Sequence, residues 1–280
     1  MLYLSFFMSK KTKQTYILMV NLMKLKRGDL VTRKSYNHDT VFKITNIKND
    51  IYYLKGVEVR LYADSTEEDL VKYLEKDTVD LTEEIKTPKI PEDRSEYFYL
   101  PAKILHIDGD KEYLEKCLNF YKKKGVLAIG RKISEDHIYE AILPLLKEFK
   151  PDIVVITGHD AYYRKKGSIE DLKNYKNSIN FIKAVKVARN YEFSHEKLVI
   201  IAGACQSNYE ELIKAGANFA SSPGRINIHA LDPAIIATTL ALTERSKEIN
   251  LLNLLNKTKY GHNGIGGIKC NGLMYVGYPR

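Results

Sequence analysis

Hydrophobic spacing divides the chain in two. Over residues 28–63 apolar and polar positions alternate in short runs, Leu30-Val31, Val41-Phe42-Lys43-Ile44, Ile51-Tyr52-Tyr53-Leu54 and Val57-Glu58-Val59-Arg60-Leu61, parted by Asn, Asp and Gly. Alternation bounded by turn residues predicts four or five short strands. A segment this small can curl into only one sheet, so a small SH3-like β-barrel is expected over residues 24–64. Residues 65–97 are charged, helical in pattern, and carry Thr87-Pro88-Lys89-Ile90-Pro91 near their end, the composition of a linker. From residue 98 onward the rhythm changes. Strands are predicted at 102–108, 126–129, 153–156, 198–202 and 219–222, with helices at 111–124, 134–149, about 175–190 and 206–215 between them. Two further helices are expected over 233–256, then a glycine-rich loop and a terminal hairpin. Strand-helix alternation of this kind predicts an α/β domain over 98–280 with a doubly wound, mainly parallel sheet.

Two of these runs end alike. Leu198-Val199-Ile200-Ile201-Ala202 leads into Gly203-Ala204-Cys205, and Ile153-Val154-Val155-Ile156-Thr157 leads into Gly158-His159-Asp160. Short aliphatic runs bounded by small residues read as buried parallel strands, and chemistry in open parallel sheets collects beyond the carboxyl ends of the strands. A thiol and an imidazole leaving one edge at one height make a candidate nucleophile and base. A lone cysteine after a strand is usually a small buried hydrophobe, and a lone histidine there is usually structural. The matched pair, each with a glycine just ahead of it that allows a tight turn and close substrate approach, is harder to dismiss, and pattern alone leaves the two readings level. A helix opening at Gln206 would aim its N-terminus at the thiol and favour the thiolate. His229, after Ser221-Ser222-Pro223-Gly224-Arg225, is the alternative imidazole.

Composition narrows the picture. Three cysteines, Cys117, Cys205 and Cys270, lie far apart with no CxxC pair, so neither a zinc site nor a disulfide framework is expected and a thiol can stay free. The net charge of +9 is spread along the chain; without a docking motif it does not point to nucleic acid. The apolar start Met1-Leu2-Tyr3-Leu4-Ser5-Phe6-Phe7-Met8 precedes its lysines, the reverse of a signal peptide, and is too short to span a bilayer. Residues 1–23 are expected to be an extension ahead of the patterned sequence. No membrane association, metal or cofactor is expected. Gly264-Ile265-Gly266-Gly267 lacks the strand before it and the lysine after it that a phosphate-binding loop needs. Asp108-Gly109-Asp110 reads as a turn and helix cap rather than a metal site. Ser207 is not a serine-hydrolase nucleophile, because cysteine holds the centre of Gly203-Ala204-Cys205-Gln206-Ser207.

Taken together, Gly158-His159-Asp160, Ala202-Gly203-Ala204-Cys205-Gln206-Ser207 and Gly216-Ala217-Asn218-Phe219-Ala220-Ser221-Ser222-Pro223 resemble the YabG sporulation-specific peptidase family. So do Gly28-Asp29 through Arg33-Lys34-Ser35-Tyr36, His106-Ile107-Asp108-Gly109-Asp110 and Asn227-Ile228-His229-Ala230-Leu231-Asp232-Pro233; the resemblance covers nearly all of the chain after residue 24. It implies a cytoplasmic protease of the sporulating mother cell, acting on spore-coat and related precursor proteins, with a preference for basic residues. The strand-His and strand-Ala-Cys pattern also resembles the caspase, gingipain and clostripain clan of cysteine peptidases. This chain departs from that clan where Asp160, not glycine, follows His159.

The expectation is therefore a cysteine endopeptidase. Cys205 attacks, His159 moves the proton, and the Cys205 amide with an amide near Gly158–Asp160 holds the oxyanion. If arginine is preferred, a carboxylate must meet the guanidinium, and Asp160 and Asp232 are the acidic residues closest in sequence to this edge, with His229 beside them. The alternatives are a non-catalytic coat-assembly factor with a buried Cys205, and a thiol-dependent amidase or acyltransferase.

Overall fold

The structure is a computed structural model that describes residues 24–73, 87–90 and 97–278. The chain forms two compact units, residues 1–79 and 80–280. In the first, strands β1 (Leu30–Arg33), β2 (Phe42–Lys48), β3 (Ile51–Gly56), β4 (Tyr62–Thr66) and β5 (Leu70–Lys72) form an antiparallel sheet in the order β4-β3-β2-β1-β5. Register is set at the β2–β3 hairpin, where Lys48 pairs with Ile51 across a two-residue turn. Asn49 and Asp50 in that turn both have positive φ, 51° and 59°, which Asn and Asp tolerate and which matches the twist of the flanking strands. Val31, Phe42, Ile44, Tyr52, Leu54 and Leu70 fill the core beneath. The sheet runs past residue 64: β4 and β5 occupy the start of the stretch whose charge pattern suggested helix. The rest of that stretch, 74–86, lies outside the described residues, as does the extension expected at 1–23.

In the second unit, β7 (Ile104–Asp108), β8 (Ala128–Lys132), β9 (Ile153–Thr157), β10 (Val199–Ala202), β11 (Phe219–Ser221) and β12 (Ile265–Gly267) form one sheet ordered β12-β11-β10-β9-β7-β8. All neighbours run parallel except β12, which is antiparallel to β11. Alternate residues face opposite ways, as the pleat requires. Ile153, Val155, Val199 and Ile201 pack on one side with α1 (Lys111–Lys123) and α5 (Asp232–Ala241). Val154, Ile156, Ile200 and Ala202 pack on the other with α2 (Ile138–Phe149), α3 (Ser178–Tyr191) and α4 (Tyr209–Lys214).

Three expectations are corrected. The glycine-rich tail is not a loop before a hairpin: Ile265–Gly267 is the edge strand β12, where a Cβ on Gly267 would lie 2.3 Å from Phe219. The last strand, β13 (Tyr275–Gly277), pairs instead with β6 (Phe98–Leu100) in a separate two-stranded sheet. Finally, the helix after Cys205 starts at Tyr209, not Gln206. Asn208 accepts from the Glu211 amide at 3.2 Å as its N-cap, while Gln206 is left-handed with φ 58°.

The strand order matters for function. The chain leaves β7 for β8 on one side and returns to β9 on the other, so a topological switch lies between β7 and β9. Crevices at the carboxyl ends of strands at such a point are the usual ligand sites of open α/β sheets.

Candidate active site

β9 and β10 are neighbours in register, with Ile156 opposite Ala202 and the Gly203 amide donating to the Ile156 carbonyl at 3.0 Å. His159 lies three residues beyond Ile156 and Cys205 three residues beyond Ala202. Gly203 makes the exit turn at φ 101°, where a Cβ would also meet Leu212 at 2.8 Å. The position therefore needs glycine on grounds of both backbone and space.

The two side chains sit in different surroundings. Cys205 is fully buried, and its sulfur lies against the peptide of Ile228, accepting from the amide at 3.3 Å and facing the carbonyl at 3.8 Å. The covering segment is fixed by hydrogen bonds: the Gln206 amide donates to Ile226 O at 3.0 Å, the Gln206 side chain to Asn227 at 3.1 Å, and Ser222 Oγ to Ile226 O at 2.8 Å. His159 turns toward the switch point. Its Nδ1 is 3.4 Å from Glu135 Oε1 and its Nε2 is 3.6 Å from Asp110 Oδ2. Tyr113 lies against the ring at a centroid distance of 5.8 Å.

Each partner is placed by its own local chemistry. Asp110 caps α1, its Oδ1 accepting from the Glu112 and Tyr113 amides, and its amide donates to Asp108 Oδ1 at 2.8 Å. Below it runs a buried chain: Thr157 Oγ1 donates to Asp108 at 2.9 Å and meets His106 Nε2 at 2.9 Å, while His106 Nδ1 meets the Tyr121 hydroxyl at 2.9 Å. The Asp108-Gly109-Asp110 turn and cap are as the sequence suggested. Glu135 sits in the bend between β8 and α2. Burial alone would raise its carboxyl, but hydrogen bonds from the side chain and amide of His159 outweigh that and hold it below the ordinary carboxylate range.

Asp160 differs. Its carboxylate accepts from Ser178 Oγ at 2.5 Å, Asn177 N at 2.7 Å, Ser207 Oγ at 2.8 Å and Ala161 N at 2.9 Å. It pins the His159 turn to the start of α3 and to the Cys205 turn, and burial pushes its pKa up despite those bonds. Asp232, also buried, accepts from the His229 amide at 3.0 Å and the Lys259 amide at 3.0 Å. Both carboxylates serve internal bonds, which favours positioning over direct pairing with a substrate guanidinium. His229 follows the peptide that covers Cys205. Its Nδ1 accepts from the Leu231 amide at 3.2 Å. Of the other thiols, Cys117 is buried and donates to Ala230 O at 3.4 Å, and burial pushes Cys270 up to about 11. Ala204 N donates to Ser207 Oγ at 2.9 Å and His159 N to Glu135 at 2.7 Å, so these two amides are already engaged. A cavity of about 410 Å³ opens next to the Cys205 turn, bordered by Asn208, Glu170, Glu210, Lys214, Pro223 and Arg225. Arg225 pairs with Glu210, and Lys214 with Glu211 at 2.7 Å, so most of the cavity's charge is compensated.

A family model described as YabG peptidase U57 matches residues 26–90 and 80–279, spanning both units. The chain belongs to the YabG peptidase family. It is therefore a peptidase, a hydrolase of peptide bonds. A curated relative, the sporulation-specific protease YabG of Bacillus subtilis (strain 168), is 42% identical over 286 aligned residues, covering 92% of this chain and 99% of the relative. Among the described residues no group of His, Cys, Asp and Glu is arranged to hold a metal ion, and no helix is long and apolar enough to cross a membrane.

The strand-His and strand-Cys units were legible in the sequence; Glu135 and Asp110 as neighbours of His159 were not. Both follow strand ends, a signal present in the sequence, but only the strand order brings the turns after β7 and β8 to the His159 side of the sheet.

Proposed function

We propose that this member of the family is a sporulation cysteine endopeptidase with a caspase-like arrangement of its dyad. The observation that supports the reading is the parallel pairing of β9 with β10, Ile156 opposite Ala202, with His159 and Cys205 each three residues further along the chain. His159 Nε2 takes the proton of the Cys205 thiol; the sulfur then forms a bond to the scissile carbonyl carbon. As the tetrahedral adduct collapses, the C–N bond breaks and the imidazolium returns the proton to the leaving amine. Water, deprotonated by the same nitrogen, hydrolyses the thioester and restores the thiol. The Cys205 amide and an amide near Gly158–Asp160 are the donors proposed for the oxyanion. Because the Ile228 peptide covers the sulfur, the 222–229 segment must yield before a substrate carbonyl can reach it, and catalytic geometry often tightens only in the substrate complex.

Substrates proposed from the family are spore-coat and related precursor proteins, cut after basic residues in the mother-cell cytoplasm. Asp232, Asp160 and His229 remain the residues proposed to support basic-residue choice. Incubation with a peptide containing arginine, with and without a thiol alkylator, tests the reading. Cleavage blocked by the alkylator supports it; cleavage indifferent to alkylation of Cys205 contradicts it.

A further inference from the structure

Glu135 is an expensive residue where it stands. Its side chain is only 15% exposed, and a carboxylate so far withdrawn from water needs strong partners. Those partners belong to His159: one oxygen, Oε1, accepts the His159 main-chain amide at 2.7 Å and lies 3.4 Å from Nδ1 of the same residue. Two glycines from different strands clear its space. A Cβ on Gly109, after β7, would come within 2.2 Å of Oε1, and a Cβ on Gly158, after β9, within 2.5 Å. Either side chain would push the carboxylate off the imidazole.

On the other side of the ring, Asp110 stands 3.6 Å from Nε2. Its Oδ1 is occupied by the α1 cap. The imidazole is thus faced by Glu135 from the bend after β8, by Asp110 from the turn after β7 and by the Tyr113 ring from α1.

We infer that Glu135 is a positioning residue for the peptidase reaction: it holds the Nδ1 proton of His159, so that Nε2 is the nitrogen that exchanges protons with Cys205 and the leaving amine. This rests on the proposed Cys205–His159 mechanism. The carboxylate selects one tautomer, fixes the ring plane through a bond to the residue's own backbone, and compensates the imidazolium that forms when the thiol loses its proton. Asp110 assists from the Nε2 side without replacing it.

The test compares purified full-length wild type with Glu135→Gln, Glu135→Asp, Asp110→Asn and Cys205→Ala, following cleavage of an arginine peptide and alkylation of Cys205 by iodoacetamide against pH. Glu135→Gln keeps an acceptor for the His159 amide but loses the charge. It is expected to lower kcat about 10²-fold with KM within about threefold, and to change the pH profile of kcat/KM, since the charge beside the imidazole is lost. Glu135→Asp should recover part of kcat. Asp110→Asn, which retains a good helix cap, should cost less than Glu135→Gln. An unchanged pH profile with Glu135→Gln, or a greater loss with Asp110→Asn, would overturn the inference while leaving the dyad intact. Cleavage by Cys205→Ala would instead remove the mechanism beneath it. Equal thermal stability of wild type and Glu135→Gln excludes a folding defect as the cause; if Glu135→Gln is unstable, Gly109→Ala provides the second route, because it displaces the carboxylate without changing it.

Discussion

The two turns that leave β9 and β10 start from the same pattern, an aliphatic strand, a glycine and a reactive side chain, yet the fold treats them differently. The Cys205 turn lies toward β11 and is sealed: its sulfur is covered by the Ile228 peptide, and Gln206, Ser222 and Asn227 tie down the cover. The His159 turn lies toward β7, at the topological switch, and its imidazole stands between two carboxylates. One turn buries its thiol; the other sets its imidazole beside carboxylates. The difference comes from strand order. β9 has β10 on one side and β7 on the other, so its turn borders the crevice, whereas the β10 turn borders the segment leaving β11.

Two acids near the His159 turn sharpen the contrast. Glu135 lies below the ordinary carboxylate range because the imidazole and amide of His159 favour its charged form over the cost of burial. Asp160 lies above it because burial outweighs four hydrogen bonds. The first is built to carry charge; the second ties three segments together and is less stable charged than its unfolded counterpart.

The largest expected effect separates the imidazoles. His159→Ala should lower kcat/KM by about 10³-fold or more, whereas His229→Ala, whose Nδ1 is spent on the Leu231 amide, should cost less than about tenfold. Peptide cleavage kinetics on both variants check this, and the reverse order would make His229 the base. Next, Gly158→Ala should lower kcat between about 10- and 100-fold by forcing Glu135 off the ring. Equal kcat in that variant would mean that the carboxylate has room the distances deny.

A smaller effect concerns pH. A group whose folded pKa is raised contributes stability in acid and loses it as pH rises through the folded value; a depressed one contributes above its unfolded pKa and loses it as pH falls. Asp160→Asn removes the first kind. The difference in Tm, variant minus wild type, should therefore become more favourable to the variant as pH rises from about 4 to 7. A flat difference would show that Asp160 does not titrate differently on folding. Least of all should Cys270→Ala matter: burial holds that thiol near 11, so cleavage rates should stay within about twofold of wild type.

Much of this was legible in the residues. Ile153–Thr157 and Val199–Ala202 read as buried parallel strands because they are short, aliphatic and glycine-bounded, and periodicity alone placed most of the intervening helices. The start of α4 was hidden because Gln206 and Ser207 look as helix-compatible as Tyr209 does. Only the tertiary bonds of Ser207 to Asp160 and of Gln206 to Ile226 hold them in a turn. That removes the helix start expected directly after Cys205. Strand β12 was hidden for a different reason: Gly266 and Gly267 are poor strand formers locally, chosen because Tyr209 and Phe219 pack where their side chains would be. The pairing of β6 with β13 joins residues almost the whole length of the second unit apart, beyond the reach of any local pattern.

The central claim is that Cys205 carries out the cleavage. Its most direct test is to mix the full-length protein with an arginine peptide bearing an electrophilic carbonyl, digest the product, and locate the adduct by mass spectrometry, with Cys205→Ala run in parallel for cleavage of the unmodified peptide. The account predicts a covalent adduct on Cys205, none on Cys117 or Cys270, and no cleavage by Cys205→Ala. An adduct on another residue, or cleavage at the wild-type rate by Cys205→Ala, would contradict it.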